Sequence, residues 1–214
     1  MRIEQAAGRP TQRVFEVFGW SGFPYALFYQ TDFALRFNLG DNISEVPACF
    51  LQAMDRSRAI LSALFRGSTH LTAVIDYLDR DRRTSRAGRS FSALSAMGFK
   101  GKFGPAERTE LDDEDCDYRR RYWHEAEFPN DPDQINALLW ASITQELSME
   151  PRIHQSLRIY IVDFQRGIAA TAYDDRGMDI VALNQATLQP LYDQFGAWLL
   201  DYDRSAMDRV FVAG

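Results

Sequence analysis

Three carboxylates crowd one turn of the chain: Asp174, Asp175 and Asp179 in the run YDDRGMD, with Arg176 and Gly177 between them. A second acidic knot, Asp201, Tyr202, Asp203 and Arg204, follows one amphipathic segment later. Clustered carboxylate oxygens are what hard divalent cations take as ligands, and two carboxyl groups held close push one pKa up and permit acid/base work. One candidate chemistry is therefore a divalent-metal-dependent hydrolase or nuclease built on Asp174, Asp175, Asp179, Asp201 and Asp203. The competing reading assigns the same groups to structure. The spacing is not that of a calcium loop, Arg176 sits among the acids, and no glutamate closes a shell. Asp174 would then hydrogen-bond its own turn, Arg176 pair with a neighbouring carboxylate, Gly177 supply a left-handed backbone angle, Asp203 cap a final helix and Asp201 pair with an arginine. Arg36 and Arg58 fall inside apolar patterns, where guanidinium forks hold half-buried acids. The expectation is an Arg/Asp lattice of Arg36, Arg58, Asp174, Asp175, Arg176, Asp179, Asp201, Asp203 and Arg204, structural or binding in role, with no catalytic residue and no metal assigned. A buried aspartate left without a partner would be costly.

Other chemistries lack their residues. GxxxxGK[ST] is missing, so the backbone cradle and lysine of a phosphate loop are not encoded. His70, His124 and His154 share no metal-ligand spacing, and GRSFS at Gly88 to Ser92 falls short of a nucleophile elbow. Cys49 and Cys116 are far apart with no CxxC nearby, which supports neither a disulfide framework nor a zinc site. Trp20, Trp123, Trp140 and Trp198 are well separated, and core packing is their default role. Arginine supplies all but two of the 24 basic residues, Lys100 and Lys102 being the exceptions, so few lysines are available for catalysis. With 30 acidic residues the net charge is -6, which makes nucleic acid a poor candidate partner. No run of apolar residues reaches membrane-spanning length, and the first residues lack the order of a signal peptide, so a cytoplasmic protein is expected.

The elements that must position these residues follow from periodicity. Residues 1–13 show none and are read as a loose lead-in, which leaves a single domain over 14–214. Phe15 to Phe18 reads as a short strand, and Tyr25 to Phe28 with Ala34 to Leu39 as a hairpin or two neighbouring strands. From Val46 to Phe65 apolar residues recur at steps of three and four, predicting one long helix with Pro47 in its first turn and Gly67 after its end. Leu71 to Leu78 is β-rich and predicts an interior strand. Five arginines between Arg80 and Arg89 and six acids between Glu110 and Asp117 read as solvated loops flanking a helix at 87–97. A strand over Arg119 to Phe128 then leads to a helix opened by Asn130, Asp131 and Pro132, with Ile135, Leu138, Leu139, Ser142 and Leu147 on its buried face. Leu157 to Phe164, Ile168 to Tyr173 and Met178 to Leu183 predict a three-strand meander. Thr187 caps the next helix, with Pro190 in its first turn and one stripe from Leu188 to Leu199, and a last short helix ends near Phe211. The predicted fold is α+β, a mostly antiparallel sheet with four or five helices packed against it.

The C-terminal residues from Pro151 to Arg204, with Met207, Asp208 and Phe211, resemble an uncharacterised bacterial family, domain of unknown function 3885. The motifs carrying the likeness are the YDDRG-D turn, the Leu191–Tyr192 pair and the WxLDYDR ending at Arg204. Phe28, Tyr29, Ala34, Leu35, Arg36, Phe37, Arg58, Ala59 and Ile60 extend it upstream, so that it spans roughly residues 20 to 211. The resemblance implies kinship but no activity, cofactor or catalytic residue. Through relatives suspected of neutralising toxins in interbacterial competition, it also implies an immunity-type role.

Residues and resemblance together set the expected function as a non-enzymatic protein-binding module of a bacterial cytoplasm, its partner an unknown protein of which a basic toxin is one candidate. No cofactor, nucleic acid or membrane is expected. The alternatives are the aspartate-based hydrolase or nuclease above and a self-associating structural protein with an aromatic homodimer face.

Overall fold

The structure is a computed structural model that describes residues 9–40, 45–79, 85–110, 120–147, 149–154 and 156–212. The acidic run after Glu110, with Cys116, and the arginines at 80, 82 and 83 lie outside these residues, as does any contact between the two charge blocks. Among the described residues the chain runs α1 (Pro10–Phe18), β1 (Ala34–Asn38), α2 (Val46–Leu64), β2 (His70–Asp79), α3 (Ser85–Ala96), β3 (Glu107–Glu110), β4 (Arg120–Pro129), α4 (Pro132–Ile143), β5 (Leu157–Asp163), β6 (Ile168–Ala172), β7 (Gly177–Ala182), α5 (Gln185–Gln194) and α6 (Arg204–Phe211). The seven strands form one sheet in the order β1-β7-β6-β5-β2-β4-β3, every neighbouring pair antiparallel. This is the α+β antiparallel fold that the sequence predicts, with six α-helices instead of four or five.

The additional helix is α1, where residues 10–13 were expected to be loose and Phe15 to Phe18 to be a strand. Pro10 occupies the first turn, where its missing N–H costs nothing. Val14 and Phe18, one turn apart, face inward, and Gly19 ends the helix in the left-handed conformation, φ 75°. Nor do Tyr25 to Phe28 pair with β1. Leu27–Gln30 is a 3-10 turn and β1 pairs instead with β7, because the Asp179 side chain takes the Phe28 N–H that a ladder would need. β3 has no apolar alternation to announce it; short and charged, it suits an exposed sheet edge.

Two-residue alternation sorts the sheet into unlike faces. On one face lie Leu35, Phe37, Met178, Ile180, Ala170, Ile159, Ile161, Ala73, Ile75, Ala126 and Phe128, all buried. α2, α4 and α5 close over that side, α2 through Phe50, Ala53, Ile60, Leu61 and Leu64. Each leucine, isoleucine, methionine or phenylalanine among these contributes about 1.5–3 kcal/mol when fully buried. α4 starts with Asp131 accepting from the Asp133 N–H at 2.8 Å, as predicted.

α5 departs from expectation. Asn184, not Thr187, is its cap, and Pro190 lies in the helix interior. The stripe is broken as well: the helix stops at Gln194, Gly196–Trp198 is a 3-10 turn, and Leu199 bridges to Phe37. Pro190 withholds one donor and Gly196 lowers helix propensity soon after, which accounts for the early end.

The other face of the sheet carries polar side chains on three neighbouring transverse rows. Cross-strand partnership places Arg36 opposite Asp179, Asp179 opposite Thr171 and Asp76 opposite both Arg158 and Trp123, and Arg121 opposite Thr109. Residues 19–33 cross this face as a strap between α1 and β1. Phe23 stacks on Tyr160 with centroids 4.6 Å apart, the Tyr160 hydroxyl donates to the Pro24 carbonyl at 3.2 Å, and the Phe28 N–H donates to Asp179 Oδ2 at 3.2 Å. α1 is fastened beside it, with Thr11 donating to Glu107 and Arg13 pairing with Glu125 at 3.2 Å.

Candidate functional site

The ionic contacts of this face gather at Arg36, on the edge strand β1. Its Nε and Nη2 donate to the two oxygens of Asp179 at 2.7 and 2.9 Å, and Nη1 donates to Asp203 Oδ2 at 3.0 Å and the Tyr29 hydroxyl at 2.9 Å. Asp179 is 1% and Asp203 7% exposed, so one guanidinium is shared between two buried acids. The Asp179 hydrogen bonds raise the Arg36 pKa further above its ordinary value, against desolvation. The guanidinium also lies over the Tyr29 and Phe28 rings, 4.7 and 5.1 Å from their centroids.

A separate pair closes the β6–β7 turn. The Arg176 backbone N–H donates to Asp174 Oδ1 at 2.8 Å, and its Nε to Oδ2 at 2.8 Å, with Nη2 also on Oδ2. Gly177 is not left-handed as expected; it is the first residue of β7. Glycine makes room there for the Tyr173 hydroxyl, which a Cβ would displace. Folded under this turn, Tyr173 is desolvated and placed beside Asp179, and its phenol is pushed up to about 12.

The remaining expected lattice members do not join. Arg58 is 54% exposed, 3.8 Å from Asp55 on the outer side of α2, because Ser57, Ile60 and Leu61 form the buried face and the helical period turns residue 58 away. The Asp175 carboxylate accepts from Cys49 Sγ at 3.3 Å, and burial pushes that thiol up to about 11. Asp201 is exposed and makes no arginine pair among the described residues. Asp203 stands at the start of α6 but its side chain caps nothing, because Arg36 and Tyr29 claim both oxygens. Arg204 binds Asp208 at 2.8 Å and the Gly196 carbonyl at 2.6 Å.

Between strap and sheet lies a cavity of about 450 Å³ whose wall includes Tyr25, Arg36, Arg158, Thr171, Tyr173, Asp174, Arg176 and Asp179. Four of the expected residues, Arg36, Asp174, Arg176 and Asp179, thus share one wall. Sequence reasoning passed over Tyr25, Arg158, Asp76 and Arg121. The signal was present: LRIYIVDF and LTAVIDYL are interior strands that each carry a charged residue on one face. Among the described residues no cluster of three or more His, Cys, Asp or Glu side chains is arranged to hold a metal ion, and no helix is long and apolar enough to cross a membrane.

The family profile described as "Domain of unknown function (DUF3885)" matches residues 11–203. The chain belongs to this family. The DUF3885 match takes in α1, the strap and all seven strands, and it ends at Asp203, the second acid held by Arg36. Comparison with curated proteins and with solved structures finds no match.

Proposed function

We propose that this DUF3885 chain is a non-enzymatic protein-binding module of a bacterial cytoplasm that docks a basic partner through the face around Arg36. The observation that carries the reading is the exposure of four tyrosines about one rigid ion-pair network: Tyr25, Tyr29, Tyr173 and Tyr202 are 68, 59, 37 and 85% exposed. Tyrosine and arginine are the side chains most enriched among interface hot spots. Tyr29 is tied by its hydroxyl to Arg36 and Asp203, so fixing it on binding costs little further entropy. The net charge of -6 steers a basic partner, the charge relationship expected between an immunity-type protein and a basic toxin. The same contacts weigh against an aspartate-based hydrolase, because guanidinium groups engage the oxygens of Asp174 and Asp179 that a cation would need.

The test is affinity capture from the native cell with the wild-type chain and with Tyr29→Ala/Tyr202→Ala, followed by titration of the purified partner. A basic protein bound in defined stoichiometry, weakened by salt and lost in the double variant, is the expected result. Equal capture by both chains would overturn the assignment of this face. Light scattering that finds a homodimer abolished by the same substitutions would replace a foreign partner with a second copy.

A further inference from the structure

The cavity beneath the strap holds three arginines, and they are not in the same state. Arg36 is engaged by Asp179, Asp203 and Tyr29, and Arg176 is paired with Asp174 through Nε and Nη2. Arg158 makes no ion pair with any described residue. Its nearest candidate is Asp76, its cross-strand partner on β2, yet Asp76 turns one oxygen to Arg121 Nε at 2.7 Å and its buried Oδ1 accepts no hydrogen bond. The Arg158 guanidinium instead lies over the Tyr25 ring, 3.6 Å from its centroid. A guanidinium held over an aromatic ring, on the wall of a cavity and with no direct ion pair among the described residues, is presented to something else.

We propose that this cavity is a binding site for a small monocarboxylate, with Arg158 as the group that takes its anionic end. A planar guanidinium edge matches a carboxylate in a two-point fork. Asp174, Asp179 and Glu146 also line the cavity, so a dianion such as phosphate meets more repulsion than a single charge. Tyr25 and Tyr173 flank the space where an apolar or aromatic body would lie, and about 450 Å³ suits a small molecule. The inference does not rest on the docking reading: Tyr25 and Tyr173 belong to both surfaces, but Tyr29 and Tyr202, the pair replaced in the docking test, do not line this cavity.

The experiment is a calorimetric and amide-NMR titration of the full chain with benzoate, its neutral isostere benzamide, and inorganic phosphate. Benzoate is expected to bind at millimolar concentration or below, with shifts confined to β5, β6 and the strap. Benzamide and phosphate should bind at least about tenfold more weakly. Arg158→Met should abolish benzoate binding, while Tyr29→Ala/Tyr202→Ala leaves it intact. Arg158→Lys keeps the charge without the fork and should weaken benzoate about tenfold, which preserves the test if the methionine variant does not fold. Equal binding of benzoate and benzamide, preference for phosphate, benzoate affinity indifferent to Arg158, or no binding of benzoate at all would each overturn the proposal.

Discussion

Arg36 on β1 grips both oxygens of Asp179 on β7, at 2.7 and 2.9 Å, across 143 residues of sequence. The pair fixes the register Arg36↔Asp179 and draws Asp203 and Tyr29 onto the same guanidinium. The edge strand, the strap and the start of α6 therefore meet at one ionic centre.

Removing that centre's cation leaves two buried acids unpaired. Arg36→Met should cost about 3–5 kcal/mol in urea unfolding, with Arg36→Lys recovering only part because it loses the fork. Arg36→Met/Asp179→Asn should be less destabilised than the sum of its single variants, since the second change removes a charge that the first stranded. A cost within error of zero for Arg36→Met would show that the ion pair holds nothing.

Gly177→Ala should act through Tyr173. The added methyl occupies the place of the phenol, and Tyr173, already partly exposed, can swing outward. The expected cost is about 1–3 kcal/mol. Spectrophotometric titration should find the Tyr173 phenol, pushed up to about 12 in the native fold, returned towards about 10 in the variant. An unchanged titration would mean that the ring had stayed in place.

Asp76 gives stability a defined slope with pH. Burial raises its pKa above the ordinary carboxylate value, outweighing Arg121 and Arg158, which pull it down. With the folded value the higher, the folded state holds the proton more tightly. The contribution is complete below about 3.9 and is lost as pH rises through the folded value. Stability measured against Asp76→Asn should shift in favour of the variant as pH climbs from about 4. A pH-independent difference would contradict the burial cause.

His124 has the opposite sense. Burial lowers its pKa, only partly offset by the Gly104 carbonyl 3.1 Å from Nδ1. The unfolded chain therefore takes up the proton first, and stability is lost as pH falls from about 6.5 towards the folded value. His124→Phe should flatten that part of the melting temperature profile, since a phenyl ring fits the stack against Tyr77 and the edge contact with Phe91. A profile as steep as wild type would acquit His124.

Much of this architecture was legible because it is periodic. α2, α4 and the β5–β6–β7 meander announce themselves by spacing, and Asp131 by its place before Pro132. What escaped was decided by distant contacts. α1 has too few inward residues to show a period, and the segment at Tyr25 to Phe28 reads as a strand until Asp179 takes its N–H. The ionic site was half visible for the same reason. Arginine among apolar residues marked Arg36 correctly as inward-facing and Arg58 wrongly, because one step of the helical period separates a buried position from an exposed one. Arg158 and Asp76 offered a fairer signal, a charge within an interior strand, whose meaning appears only when the two strands are laid side by side.

The placement of β1 beside β7 has a bearing on how the molecule comes into being. A ribosome makes Ala34–Asn38 long before the strand they join, Gly177–Ala182. Until then Arg36 and the strap have nothing to fasten to, and a contact so remote in sequence belongs to the slow class of closures. Assembly thus waits until β7 has been made, and a nascent fragment halted before residue 177 should be prey to proteases from its first helix onward.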